Sequence, residues 1–173
     1  MSIQTLTTYL QSFSPPALCE AAPVANVRVE PLAEPTIALY RSLYRAVGDG
    51  YCWVDRLLMP EDELMTILAD PGVSIFVLKV GTETAGFCEL DCRQRNEVEL
   101  AYFGLFQKFI GQGLGRFFLN WTLHQAWSYS PDRVWVHTCD LDHPAALSTY
   151  LRAGLDIYRQ EVGTQRTLKE LRL

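Results

Sequence analysis

EVELAYFGLFQKFIGQGLGRFFLNW, residues 97–121, decides how this chain is read. An apolar run, 97–106, ends in FIGQGLGR (109–116), whose Gly111, Gly113 and Gly115 stand at alternate positions, and a second apolar run with helical spacing follows. Glycine weakens helix and strand alike, so three together mark a place where backbone geometry or a close approach requires them. A strand that feeds a glycine loop into a helix start leaves a row of amide N–H groups without partners, backed by the positive end of the helix dipole. Such a cradle takes anions, phosphate above all. The amides of Ile110 to Gly115 are the candidates. The residues alone leave a second reading open, a tight strand-to-helix turn with no ligand.

Two nucleotide motifs fail here. A P-loop needs Lys-Ser or Lys-Thr after its glycines, and the chain has Leu114-Gly115-Arg116. A dinucleotide fingerprint needs G-x-G-x-x-G after the first strand, whereas here the spacing is G-x-G-x-G and the loop follows the fourth predicted strand.

The periodicity outside the loop predicts one α/β (α+β) domain with a mixed sheet. NVRVEPL (26–32) alternates as a strand. PTIALYRSLYRAVG (35–48) and MPEDELMTILAD (59–70) have helical spacing, with the aromatic loop GDGYCWVDRLL (48–58) between them. VSIFVLKV (73–80) and TAGFCELDC (84–92) form a hairpin, and 97–106 is the next strand. The helix after the glycines carries Leu114, Phe117, Phe118, Trp121 and Gln125 on one stripe. RVWVHTCDL (133–141) is a strand, HPAALSTYLRAG (143–154) a helix, and 155–173 a closing hairpin. Residues 1–25, with SPPALCEAAP, read as an N-terminal extension of short helix or irregular chain ahead of a single domain over 26–173.

With 173 residues, 49% of them apolar and 20% charged, the chain can bury one core. A net charge of −5 with no basic cluster argues against nucleic acid as a partner. Cys19, Cys52, Cys88, Cys92 and Cys139 are odd in number and scattered, the pattern of reduced thiols, and no zinc-ligand spacing is present, so no metal is expected. Neither a membrane span nor a secretory leader is legible, which makes a cytoplasmic location with no membrane partner the expectation.

The glycine loop and the later helix together resemble the GNAT superfamily of acyl-CoA-dependent N-acyltransferases. Leu105 and Gln107 take the valine and proline places of its strand-end motif, and Lys108-Phe109-Ile110-Gly111-Gln112-Gly113 takes the Gln/Arg-x-x-Gly-x-Gly/Ala motif, with lysine in place of Gln or Arg. Farther on, His143, Ala146, Tyr150, Gly154 and Leu155 match Asn-x-x-Ala-x-x-x-Tyr-x-x-x-Gly-Phe, with histidine for asparagine and leucine for phenylalanine. The likeness spans about residues 26–165 and is strongest over 97–155.

That resemblance implies a GNAT-like, mostly antiparallel sheet with helices on both faces and acetyl-CoA as cosubstrate. It implies direct transfer of an acetyl group to a primary amine of a small molecule or amino-acid-like substrate, by a monomer or homodimer. A protein amine as acceptor, or a non-catalytic acyl-CoA sensor, are the alternatives. Backbone groups of Phe103, Gly104 and Leu105 would pair with the pantetheine arm, with Leu105 N–H facing the thioester oxygen. Lys108 and residues Ile110, Gly111, Gln112, Gly113, Leu114, Gly115 and Arg116 would hold the diphosphate, and His143 and Ala146 would border the donor. Tyr150 is placed to protonate the leaving thiolate.

A lysine-like ammonium costs about 4.6 kcal/mol to present neutral at pH 7, so a base is expected. Glu97 and Glu99 share one strand face and are the candidates, with Glu89 a third and a salt-bridged strand acid the plainer reading of Glu97. His124 reads as packed, and His137 as facing either the cleft or a helix. Cys139 has no evident partner as a nucleophile. Tyr51, Trp53 and Arg56 are candidates for binding the acceptor or its carboxylate, or else for plugging the core edge.

Overall fold

The computed structural model describes residues 3–165. Its strands are β1 (Ile3–Ser12), β2 (Val27–Pro31), β3 (Val73–Val80), β4 (Glu83–Asp91), β5 (Glu97–Leu105), β6 (Arg133–Cys139) and β7 (Asp156–Gln165). The helices are α1 (Ile37–Gly48), α2 (Asp55–Leu58), α3 (Glu61–Leu68), α4 (Leu114–Ser128) and α5 (Ala146–Arg152), with a 3₁₀ turn at Gln107–Phe109. The strands form one seven-stranded sheet in the order β2-β3-β4-β5-β6-β1-β7. Every pairing is antiparallel except β5 with β6.

Helices cover both faces. On one, Tyr40, Leu43, Tyr44 and Val47 of α1 and Leu64 and Leu68 of α3 pack on Ile75, Val77 and Phe87. On the other, Leu114, Phe118, Leu119, Leu123 and Ala126 of α4, with Tyr150 of α5, pack on Phe76, Leu78, Leu90, Leu100 and Val136. The unbroken apolar run of β3 is explained by this: alternate side chains enter different cores. Helix α1 starts where Thr36 Oγ1 accepts the Leu39 N–H at 3.1 Å. Three acids, Glu61, Asp62 and Glu63, occupy the first turn of α3, where the dipole favours them.

Three expectations change. The N-terminal stretch read as helix or irregular lead-in instead supplies β1, which lies between β6 and β7 and pairs with both. The glycine loop therefore follows the fifth strand. The aromatic loop holds a short helix of its own, α2. On α4 the buried stripe is Leu114, Phe118, Leu119, Thr122, Leu123 and Ala126, with Phe117 and Trp121 only partly covered. Of the expected closing hairpin the first part is β7, and residues 166–173 lie outside the described residues.

Candidate active site

The parallel strands β5 and β6 pair only at Glu97 with Arg133, Val98 with Val134 and Glu99 with Trp135, and then separate. Beyond Glu99, β5 keeps its partner β4 on one edge alone. Its register with β4 slips by one residue, since Glu89 faces Tyr102 while Leu90 faces Leu100, leaving Ala101 as the extra residue of a bulge. The bulge reverses the alternation, so Val98, Leu100, Phe103 and Leu105 all pack toward α4 while Tyr102 joins the α1 core. Phe106 N–H bonds to Ala85 O of the β4 side at 2.8 Å. Because successive amides alternate edges, the N–H groups of Phe103 and Leu105 point the other way, into the gap left by β6.

That gap opens into a cleft of about 1270 Å³, which runs from Tyr51, Trp53 and His137 past Phe103–Leu105 and Tyr150 to Gly111, Gly113, Gly115 and Arg116. Gly111 (φ 84°) and Gly113 (φ 79°) are left-handed, the conformation that favours glycine. The first backbone bond into α4 is Phe117 N–H to Gly113 O at 3.4 Å. The amides of Gly111, Gln112, Gly113, Leu114, Gly115 and Arg116 donate to no acceptor among the described residues. Six successive donors at a helix start, with no side-chain cap on Gly113, suit an anionic group such as a phosphate.

Side chains at the loop have other duties. Lys108 pairs with Glu83 outside the cleft. Gln112 Nε2 donates to Lys108 O at 3.1 Å, and Leu114 is fully buried in the core. Gly104 is required by packing: a Cβ there would meet Val47 Cγ1 of α1 at 2.2 Å. The segment after β1 runs along this end of the cleft. Glu20 accepts from Arg116 Nε and Nη2 at 2.9 and 2.5 Å, and Pro23 lies against Gly113. Asn120 Nδ2 donates to Leu18 O at 2.8 Å, and His124, read as packed, contacts the same segment through Leu18 O and Cys19 Sγ.

Tyr150 is 7% exposed and lines the cleft, and its hydroxyl has no hydrogen-bond partner among the described residues. Burial, with the Asp142 charge nearby, pushes the phenol above its ordinary pKa, so it is held protonated. His143 Nδ1 accepts the Ala145 N–H at 3.1 Å ahead of α5, and its ring meets Tyr51 edge-on with centroids 5.9 Å apart. Trp53 Nε1 donates to Asp142 Oδ1 at 3.0 Å, while Asp142 Oδ2 accepts from Thr138 Oγ1 at 2.7 Å and Cys139 N–H at 2.9 Å. Asp142 thus ties the aromatic loop to the end of β6. Cys139 lines the cleft as a thiol that burial and Asp142 push up, the opposite of a primed nucleophile.

The acids and Arg56 fall elsewhere than the sequence suggested. Arg56 is buried and gives Nη2 to Glu89 Oε1 at 2.5 Å and Nε to the Tyr40 hydroxyl oxygen at 3.3 Å, and that hydroxyl donates to the other Glu89 oxygen. Its charge is spent inside the protein, away from the cleft lining, so it is not placed to bind an acceptor's carboxylate. Glu89, fully buried in the same cluster, cannot reach an incoming amine. Glu97 pairs with Arg133 Nη2 at 2.9 Å, outside the cleft. Glu99 Oε1 lies 3.5 Å from His137 Nδ1, and it is His137 that lines the cleft. Sequence reasoning missed Asp142, whose partner Trp53 is 89 residues away, and the cleft-lining Leu18 and Glu20, whose partners Asn120 and Arg116 are distant along the chain.

The acetyltransferase (GNAT) family model matches residues 34–155. No curated protein matches the chain. Solved structures do. A GCN5-related N-acetyltransferase from Sphaerobacter thermophilus superimposes with a TM-score of 0.67 at 15% identity over 96% of this chain, which spans only 52% of that protein's length. An aminoglycoside acetyltransferase from an uncultured soil metagenomic sample gives 0.63 at 18% identity over 83% of this chain and 97% of its own. A GNAT family acetyltransferase from Elizabethkingia anophelis with acetyl-CoA bound gives 0.59 at 16% identity over 79% and 80%. At these identities the likeness is one of fold. Among the described residues no helix is long and apolar enough to cross a membrane, and no group of His, Cys, Asp and Glu side chains could hold a metal ion.

Proposed function

The chain belongs to the acetyltransferase (GNAT) family, and from that premise we propose that it transfers an acetyl group from acetyl-CoA directly to a primary amine of a small molecule. The observation that carries this is the continuity of one cleft from six amides, past the free edge of β5, to the hydroxyl of Tyr150, all without hydrogen-bond partners among the described residues. Bound acetyl-CoA supplies the activated acyl carbon. The amides from Gly111 to Arg116 hold the diphosphate, and Phe103 and Leu105 offer their outward N–H groups to the pantetheine arm and thioester oxygen, where a fixed donor stabilises developing negative charge. Tyr150, kept neutral by burial, donates its proton to the departing thiolate. Tyr51 and Trp53 wall the acceptor end. With Arg56 occupied by Glu89, Tyr51 and Trp53 offer an acceptor aromatic surface rather than a cation for a carboxylate.

Calorimetry with CoA, followed by thiol release from acetyl-CoA across a panel of amines, tests the proposal. Saturable binding and turnover with at least one amine are expected, and an absence of binding heat together with no turnover would return the glycine loop to a mere turn. Tyr150→Phe is expected to lower turnover by about 10²–10³-fold with CoA affinity unchanged. Equal turnover in the two proteins would remove Tyr150 from the chemistry.

A further inference from the structure

Each glutamate that the sequence offered as the base for the acceptor amine is already engaged, and where β6 leaves β5 the cleft is lined by a histidine, with Asp55 and Asp142 on the lining beyond it. Glu89 is sealed with Arg56 and Tyr40, and Glu97 is held by Arg133 outside the cleft. Glu99 stands at the last paired position of β5, opposite Trp135 of β6. His137 lies two residues farther along β6, so it projects from the same face as Trp135 just past the point where the strands part. Its ring is half-exposed and lines the cleft, with Nδ1 3.5 Å from Glu99 Oε1. A carboxylate on Nδ1 fixes the tautomer and leaves Nε2 as the basic atom. The ring packs against Tyr9 of β1, with centroids 5.7 Å apart, and Trp135, at 6.2 Å, which limits its rotation.

We propose that His137 is the base that takes the proton from the acceptor ammonium, with Glu99 as the positioning residue that orients and charges-matches its ring. The proposal rests on the acetyl-transfer reading above. In the balanced step, neutral His137 removes one proton from R–NH3⁺ and later releases it to solvent. The freed nitrogen lone pair forms the C–N bond as the C–S bond breaks. Tyr150 protonates the thiolate, and the second proton shed by the nitrogen restores Tyr150. Every charged or titratable neighbour bears on the imidazole's pKa: Glu99 of β5, Asp142 after β6 and Asp55 at the start of α2 raise it, Glu99 most, while burial opposes them. Tyr9 of β1 faces the ring as a neutral phenol whose own pKa is raised. The imidazole therefore titrates above its ordinary value, and the reaction rate rises with pH as it loses its proton.

The chain has three histidines, so the His137 resonance is assigned by its disappearance in His137→Gln, and its titration is followed by NMR beside the pH profile of kcat/KM. His137→Gln is expected to lower kcat/KM by about 10²–10³-fold at neutral pH with CoA affinity unchanged. Glu99→Gln is expected to move the NMR titration and the acid limb of the profile to lower pH together. The proposal is overturned if His137→Gln keeps activity within about threefold of the parent, or if the acid limb stays in place while the imidazole titration moves. A parent protein that binds CoA but acetylates no amine overturns the acetyl-transfer reading itself, an outcome distinct from either.

Discussion

Glu89 on β4 and Glu99 on β5 each face a cation brought by another element, and the two pairs have opposite settings. Glu89 is 0% exposed and meets Arg56 and Tyr40 inside the α1 core. Glu99 faces a half-exposed histidine at the fork between β5 and β6. A buried ion pair gains strong mutual attraction against a large desolvation cost, which makes it an all-or-none structural element. A partly solvated carboxylate–imidazole pair costs little to form and leaves the imidazole free to exchange protons with the cleft. Similar chemistry therefore fastens α2 to the sheet in one place and is available for proton transfer in the other.

The contrast breaks most sharply at Arg56. Arg56→Ala leaves the Glu89 charge buried with only Tyr40 beside it, and should cost about 3–5 kcal/mol of folding free energy, read by urea unfolding. Replacing both members, Arg56→Met with Glu89→Leu, should recover most of that loss, because no unpaired charge remains. If instead Arg56→Ala left stability intact and raised only the KM for an amine, the sealed pair would be an acceptor site after all.

Local features of this fold were legible in the chain and distant ones were not. The β3–β4 hairpin, the glycine loop and the start of α1 are set by neighbours within a few residues, so their spacing and turn chemistry reveal them. The β1 strand was hidden because its register partners, such as Cys139 for Thr7 and Val162 for Leu6, lie more than 130 residues away. The Ala101 bulge carries no glycine or other marker and shows only as a slipped register. Arg56 was misplaced for the same reason as β1: its partner Glu89 is 33 residues on, and a charged residue in an aromatic loop looks exposed until that partner is seen. The glycine loop and Tyr150 could be singled out because their spacing is local to one loop and one helix, and both line the same cleft.

Gly104 stands between the two settings, with α1 on one face and the cleft along its edge. Gly104→Ala would place a methyl group 2.2 Å from Val47 Cγ1, so α1 must retreat from β5. Overpacking of this kind should cost about 1–3 kcal/mol, measured by thermal or urea unfolding. Val47→Ala in the same chain should return much of it by making room, and the pair should show a coupling energy rather than additive losses. Two independent, additive losses would mean that strand geometry, not the approach of α1, requires the glycine.

The smallest expected effect belongs to Glu97, and it separates the fork from the strand ahead of it. Glu97 meets Arg133 at 2.9 Å with both side chains about a quarter exposed, so the pair is partly screened. Arg133 keeps other company when the charge is removed: Gln11 Oε1 at 3.0 Å and the rings of Trp135 and Tyr158 beneath its guanidinium. Glu97→Gln should therefore change stability by less than about 1 kcal/mol and leave kcat/KM within about twofold of the parent. A catalytic base at this position would instead cost about 10²–10⁴-fold in rate. Since Glu97 and Glu99 share one strand face two residues apart, a large loss at Glu97 would move the proton-accepting site back along β5, away from the fork and from His137.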